Sequence, residues 1–567
     1  MLITETIKTT IGKALTELDI SYDGDINLEH PRELSHGDYS TNIAMVLAKI
    51  EGKNPQDLAN LIVDKMNIAN FSNSSLVTIK NGFINIRIRP SFFERELKKI
   101  SEQGEHYGWN TSWEGKKILV EHSSPNLFKP FHIGHMMNNT VGEAMARLAK
   151  TSGANVTIVS YPSDVSLGIA KAVWQFMEHG IEKLDEFTTI PEKMAFLGTC
   201  YAEGTQAYDA DPELEKRVRE ITQDIYEHRD TEAYAAYKIG RDLNLEYFIK
   251  MTARLGSEFD GLIFESEAGL EGKQIVLDNV PNVYTESNGA VIYTGEQDGL
   301  HTRVFINKDG NPTYESKDVG LIKLKFERYS PDMSVIITDS EQTPYFQVML
   351  ASAGKVHPEW KEKTNHKSHG RMQFKGEKMS SRLGNTPLVA DILDVVNEEV
   401  YARSGERELN EKQADVISIA ALKYTILRTQ AGKNINFDPE TSLSFEGDSG
   451  PYLQYTYARS GSLIQKAFDL GIDITDERPE HWETIDLERY IYRFREVVEL
   501  SFKELQPHYV VTYITELAQL FNSWYANTKI VDVDDETSGY KLALTRATAQ
   551  VIKNGLWILG IEAPESM

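Results

Sequence analysis

Two short stretches bring together side chains able to handle phosphate. The first is Glu121-His-Ser-Ser-Pro-Asn126-Leu-Phe-Lys129-Pro-Phe-His132-Ile-Gly134-His135. It falls between a predicted strand, Ile118–Val120, and a predicted helix whose apolar residues Ile133, Met137, Val141 and Leu148 line one face. Unpaired amide groups and the helix dipole at such a junction favour an anion. His132 and His135, three apart on a helical turn, can aim donors to one side, and Gly134 lets a base or phosphate approach the backbone. Taken alone, two histidines at a helix N-terminus are an ordinary surface feature. The second stretch, far downstream, is Lys375-Gly-Glu-Lys378-Met379-Ser380-Ser381-Arg382-Leu-Gly384-Asn385. Lys378 is a mobile point charge suited to a pyrophosphate, and Ser380, Ser381 and Gly384 suit a loop that closes over a nucleotide.

These residues need elements to position them. From Lys116 short buried strands alternate with longer helical stretches, a pattern that predicts a parallel α/β sheet over residues 109–390. Further strand signals stand at Ala290–Tyr293, Arg303–Ile306 and Ser334–Ile337. The segment 174–289 is rich in Glu and Asp and contains helical runs such as Pro212–Asp224, which predicts an insertion in the sheet domain. Residues 1–108 predict an α+β unit of helix, loop, helix and a hairpin, with Asn81-Gly82 turning between Ser75–Lys80 and Phe83–Arg87. Beyond Asp391 the runs Ala414–Thr429, Tyr452–Phe468, Tyr490–Leu505 and Leu542–Leu559 predict an all-α bundle over 391–567.

Composition sets limits on all of this. A chain of 567 residues suggests three or four domains at roughly 150 residues each. The single cysteine, Cys200, excludes an internal disulfide, argues against a thiolate zinc site and fits a reducing cytoplasm. No apolar run approaches the roughly 18 residues of a membrane span, and Met1–Asp19 mixes charges at helical spacing rather than resembling a signal peptide. A net charge of −25 argues against nucleic acid as a partner at long range. A basic strip on an acidic body can still bind phosphates locally, and Lys363, Lys367, Arg371 and Lys375 form the best such strip.

The pair of stretches resembles the two signature elements of class I aminoacyl-tRNA synthetases, whose catalytic domain is a Rossmann-like sheet. Within that class the chain is similar to the arginyl-tRNA synthetases. The resemblance rests on Glu121-His-Ser-Ser-Pro-Asn126, Lys378-Met-Ser-Ser-Arg382, Gly450-Pro-Tyr452-Leu-Gln-Tyr455 with Arg459, His36-Gly-Asp-Tyr-Ser-Thr-Asn42 and the ending Gly555–Ile561. One loop departs from the family: Tyr161-Pro-Ser-Asp164-Val-Ser-Leu-Gly168 stands where an Asn-Asp or Gly-Asp pair is usual, so no role is carried over to it.

The resemblance implies activation of arginine with ATP and Mg²⁺ and transfer of the arginyl group to the terminal ribose of tRNA(Arg), with tRNA needed before activation. It implies catalytic roles for His132, His135 and Lys378, with Lys129, Gly134, Met379, Ser380 and Ser381 completing the ATP site. It points to Glu121, Ser124, Asn126, Tyr314, Asp318 and Gln342 for arginine. A guanidinium presents a rigid fork that matches carboxylates, and Tyr314 and Asp318, four apart, share a helix face. For Gln342 the neighbouring Glu341 and Tyr345 stay open. For tRNA, the family uses the N-terminal domain on the D-loop, here Phe83 and Asn85, and the bundle on the anticodon, here Tyr452, Tyr455 and Arg459. A site built for a guanidinium rejects other amino acids by about 10⁴ to 10⁵ without editing, which makes the acidic insertion structural or tRNA-facing. A monomer is the family's habit. Cysteinyl and glutamyl enzymes are disfavoured, the first by the missing zinc ligands and the second because it needs basic amino-acid contacts. A non-catalytic tRNA-binding paralogue is the competing reading, against which His132, His135 and Lys378 are all retained.

Overall fold

Valine- and isoleucine-rich runs buried on both faces form the centre of the molecule. The computed structural model describes residues 2–33, 36–68, 75–375, 387–404 and 408–567. The stretch containing Lys378, Met379, Ser380 and Ser381 lies outside them.

The N-terminal unit contains helices α1 (Ile3–Glu17), α2 (Ile43–Glu51) and α3 (Pro55–Ile68) against strands β1 (Tyr39–Thr41), β2 (Ser75–Lys80) and β3 (Phe83–Ile88). The strands form an antiparallel sheet of order β1-β3-β2. Asn81 and Gly82 both take positive φ, 55° and 81°, the geometry a two-residue hairpin demands. Helix α4 (Pro90–Gln103) leads to the sheet domain.

There β4 (Lys117–Glu121), α5 (Ile133–Thr151), β5 (Asn155–Ser160) and α6 (Leu167–His179) are followed by a helical excursion. The excursion comprises α7 (Ile190–Ala210), α8 (Leu214–Tyr226) and α9 (Glu232–Arg254). The chain then rejoins the sheet at β6 (Gly261–Leu262) and runs into α10 (Glu265–Asp278). A small antiparallel sheet follows, of β7 (Thr285–Ser287), β8 (Ala290–Tyr293) and β9 (Arg303–Ile306). After α11 (Tyr314–Tyr329) come β10 (Met333–Asp339), α12 (Thr343–Val356), α13 (Pro358–Glu362), β11 (Thr364–His369) and β12 (Met372–Phe374). The main sheet is parallel, of order β11-β10-β4-β5-β6.

Two strand expectations change. Ala290–Tyr293 and Arg303–Ile306 are strands, but they build the separate antiparallel sheet. The sheet domain instead resumes at Gly261–Leu262, two residues that carry no periodic signal.

The C-terminal bundle contains Glu411–Leu427, Gly450–Asp469, His508–Asn527 and Ser538–Ile558 among its helices. The run expected from Tyr490 to Leu505 is two helices, Asp486–Ile491 and Phe494–Glu504. One continuous apolar cluster joins Val120, Met145 and Phe248 of the sheet domain to Leu453, Leu517 and Leu556 of the bundle, so the two share a core. Among the described residues no helix is long and apolar enough to cross a membrane.

Candidate active site

The first signature stretch leaves the C-terminal end of β4, between β5 and β10, where open parallel sheets bind ligands. Asn138 of α5 holds it in place, accepting from the Ser123 amide at 2.6 Å and donating to the Ile337 carbonyl of β10 at 2.6 Å. Sequence reading did not single out Asn138, because a polar residue on a helix carries no sign of its partners.

His132 is the N-cap of α5. Its Nδ1 accepts from the Gly134 amide at 3.1 Å, and its own amide donates to His135 Nδ1 at 3.2 Å. Both Nδ1 atoms are therefore acceptors, which places the proton of each neutral ring on Nε2. The rings stack 3.9 Å apart, and His135 also lies 4.9 Å from the Phe131 ring. Burial, with help from the Lys129 charge, pushes both imidazoles below the usual histidine range. The pair thus presents neutral N–H donors at a helix N-terminus. Gly134 has a steric reason beyond ligand approach: a Cβ there would sit 2.9 Å from His132 Cε1. Lys129 is half-buried, 4.5 Å over the Tyr201 ring.

The downstream flank of the second stretch returns to this point. Ile133 N donates to Pro387 O at 2.9 Å and Val389 N donates to Phe131 O at 2.9 Å, so Pro387 and Val389 are stitched to the start of α5.

A cluster of carboxylates includes Glu121, the last residue of β4. Helices α10 and α11 cross at backbone contact: a Cβ on Gly272 would lie 1.8 Å from Ser316 O, and one on Gly320 would lie 2.0 Å from Ala268 O. That approach sets Glu265, at the start of α10, against Lys317 of α11 in a buried ion pair. Asp318 accepts from the Tyr345 hydroxyl at 2.5 Å. Burial raises its carboxyl to about 7, with Glu121 and Glu265 adding to the rise and Lys325 opposing it. Glu121 and Asp318 thus lie near enough for their charges to oppose each other.

Glu121 already has a partner: Lys325 Nζ donates to its Oε2 at 2.6 Å, with both side chains buried. Tyr314 stands at the exposed rim, its ring 5.4 Å from the Lys317 ammonium. Gln342 and Asn126 are exposed, whereas half-buried Ser124 accepts from the Tyr161 amide at 3.3 Å. Of the three candidates around Gln342, Tyr345 is the one that reaches Asp318, while Glu341 pairs with Arg371. In the departing loop, Asp164 accepts from Ser266 N at 2.9 Å and Ser266 Oγ at 2.8 Å, anchoring α10.

The expected nucleic-acid contacts separate. Phe83 lines a cleft of about 480 Å³ with Arg32, His36, Ser40 and Lys80. Asn85 also borders it but is buried, with its Oδ1 accepting from Ser40 Oγ at 2.9 Å. Tyr452 is a core residue whose hydroxyl accepts from Asn522 at 3.0 Å, which removes its ring from the surface. Tyr455 and Arg459 remain partly exposed, the guanidinium donating to Tyr455 Oη at 2.8 Å and to Asn522 at 3.0 Å. The basic strip is already engaged: Lys363 pairs with Glu359, Arg371 with Glu341 and Lys375 with Asp438, and Lys367 donates to Glu504 O.

The comparisons agree with this geometry. The model of the class I (R) tRNA synthetase catalytic domain matches residues 96–438, more than half of the chain. The arginyl tRNA synthetase N-terminal domain matches 5–88 and the DALR anticodon binding domain 453–567. The arginine–tRNA ligase of Clostridium perfringens is 29% identical over 549 residues, covering 95% of this chain and 96% of the relative. That of Thermococcus sibiricus is 28% identical, covering 99% and 98%. The solved arginyl-tRNA synthetase of Thermus thermophilus has the same fold, with a TM-score of 0.81 at 22% identity over 100% of both chains. With a matched model for each of its three parts, the catalytic one covering more than half of its length, the chain belongs to the arginyl-tRNA synthetase family.

Proposed function

We propose how this class I arginine–tRNA ligase uses the site. Arginine inserts its guanidinium among Asp318, Glu121 and Glu265 with Tyr345 alongside, and its backbone end faces Asn126, Ser124 and Gln342. The arginine carboxylate attacks the α-phosphorus of ATP and pyrophosphate leaves; the terminal ribose of tRNA(Arg) then takes the arginyl group. His132 and His135 donate from Nε2 to phosphate oxygens, and the α5 amides add a partial positive charge. Lys129 supplies charge at the rim, and Lys378, within Lys378-Met379-Ser380-Ser381, offsets the charge that develops on pyrophosphate. Mg²⁺, which would enter with ATP, would add electrostatic stabilisation of the phosphates.

The observation that carries the reading is the cluster of carboxylates, Glu121 and Glu265 buried and Asp318 half-buried, in a domain whose α5 is capped by two neutral histidines. Binding of tRNA before activation, a D-loop contact at the Phe83 cleft and an anticodon contact at Tyr455 and Arg459 complete the proposal. We place the protein in the cytoplasm, in keeping with a lone buried Cys200, and take it to act as a monomer. The test is charging of total tRNA with each of the twenty amino acids in turn. Arginine alone should be esterified, and Lys378→Ala should slow adenylate formation by about 10² to 10³; charging with another amino acid would overturn the assignment.

A further inference from the structure

The acidic pocket brings together more carboxylates than one guanidinium could neutralise by itself. Three carboxylates meet there: Glu121 from β4, Glu265 from α10 and Asp318 from α11. Two are neutralised internally, Glu265 by Lys317 and Glu121 by Lys325. Both lysines are buried, and Lys325 is fully so. Among the described residues Asp318 has the neutral Tyr345 hydroxyl as its hydrogen-bond partner. The pocket thus carries one uncompensated negative charge, the number a single guanidinium brings.

We infer that Lys325 is a positioning and specificity-determining residue for arginine, holding Glu121 in place and setting the pocket's net charge to match one monocation. The inference rests on the reading of this pocket as the arginine side-chain site. A buried ammonium bound to Glu121 Oε2 pins that side chain in place. Without Lys325, two like charges would share a low-dielectric site, and one of them would take up a proton. Asp318 is the group that registers such a change. It faces Glu121 on β4, Glu265 on α10, Lys325 on its own helix and Tyr345 on α12, with Tyr161 and Tyr314 nearby. Removing the ammonium and unmasking Glu121 both act in one direction, making Asp318 harder to ionise. The ionised form grips the guanidinium, so tight binding then requires a higher pH.

The experiment compares the parent with Lys325→Met, Lys325→Arg and the double variant Glu121→Gln/Lys325→Met, in aminoacylation with arginine varied at several pH values. In Lys325→Met the KM for arginine should rise about tenfold, kcat should change less, and the pH dependence of KM should move up by about one unit. Lys325→Arg should keep the parent profile, and the double variant should bring the pH midpoint back toward it, because the unpaired charge is gone. The double variant also removes the buried charges together, so it tests the idea even where the single variant fails to fold. Unchanged or tighter arginine KM with an unshifted profile in Lys325→Met would overturn the role of Lys325 while leaving the pocket assignment intact. Failure of the parent itself to use arginine would overturn both.

Discussion

On the proposed reading arginine recognition turns on Asp318, the carboxylate of the cluster that has no ion-pair partner among the described residues. Its carboxyl is raised to about 7, chiefly by burial. The guanidinium stays charged throughout the neutral range and binds the ionised form. Affinity is therefore full above that value and falls as pH drops through it. The KM for arginine should rise about tenfold for each unit of acidification below neutrality, whereas Asp318→Asn should bind weakly with a flat profile. A flat profile in the parent would show that Asp318 is ionised throughout. At this scale the histidine pair was legible in the sequence, since its chemistry depends on residues three apart on a single turn. The partners Tyr345 and Lys325 were not assigned, because nothing local to Asp318 or Glu121 indicates which side chains other elements will bring.

At the scale of elements, the pocket exists because α10 and α11 touch backbone to backbone. Ala268, Gly269, Gly272, Ser316 and Gly320 are the small residues that permit it. A Cβ on Gly272 would lie 1.8 Å from the Ser316 carbonyl, which cannot move aside as a flexible side chain could. Gly272→Ala should cost about 3 kcal/mol or more in urea unfolding. It should also raise the KM for arginine, because separating the helices moves Glu265 away from Lys317. Unchanged stability and KM would mean that the helices can part without disturbing the site. The parallel sheet and the bundle were readable from periodicity. Gly261–Leu262 was not, because a two-residue strand is defined by its hydrogen bonds to β5 rather than by any pattern of its own.

Across the whole molecule, the N-terminal unit is fastened to the bundle by polar groups set among aromatic rings. Asp38 is fully buried, accepts from Ile88 N at 2.7 Å and pairs with Arg489 at 2.5 Å. His30 bonds Glu496 at 3.1 Å, and Tyr492 packs into the N-terminal core. Arg489→Ala would leave Asp38 buried and unpaired, a loss of about 3–5 kcal/mol. The expected result is an earlier transition for the N-terminal unit and a raised KM for tRNA, with the KM for arginine unchanged. A shift in the KM for arginine would instead show that this clamp reaches the pocket. The net charge of −25 belongs to this scale too. With the expected basic strip engaged in ion pairs and a carbonyl contact, any phosphate contact there has to compete with those partners.

By itself the sequence determined the reaction class, the three-part organisation and the histidine pair, since each is written in motifs or periods that act over a few residues. It also indicated that acidic residues would meet a cation. Only the tertiary structure decided how many of those charges remain unmatched. Net charge in a buried site depends on every ionisable side chain that converges on it, and here Glu121, Lys325, Glu265, Lys317 and Asp318 arrive from three separate elements.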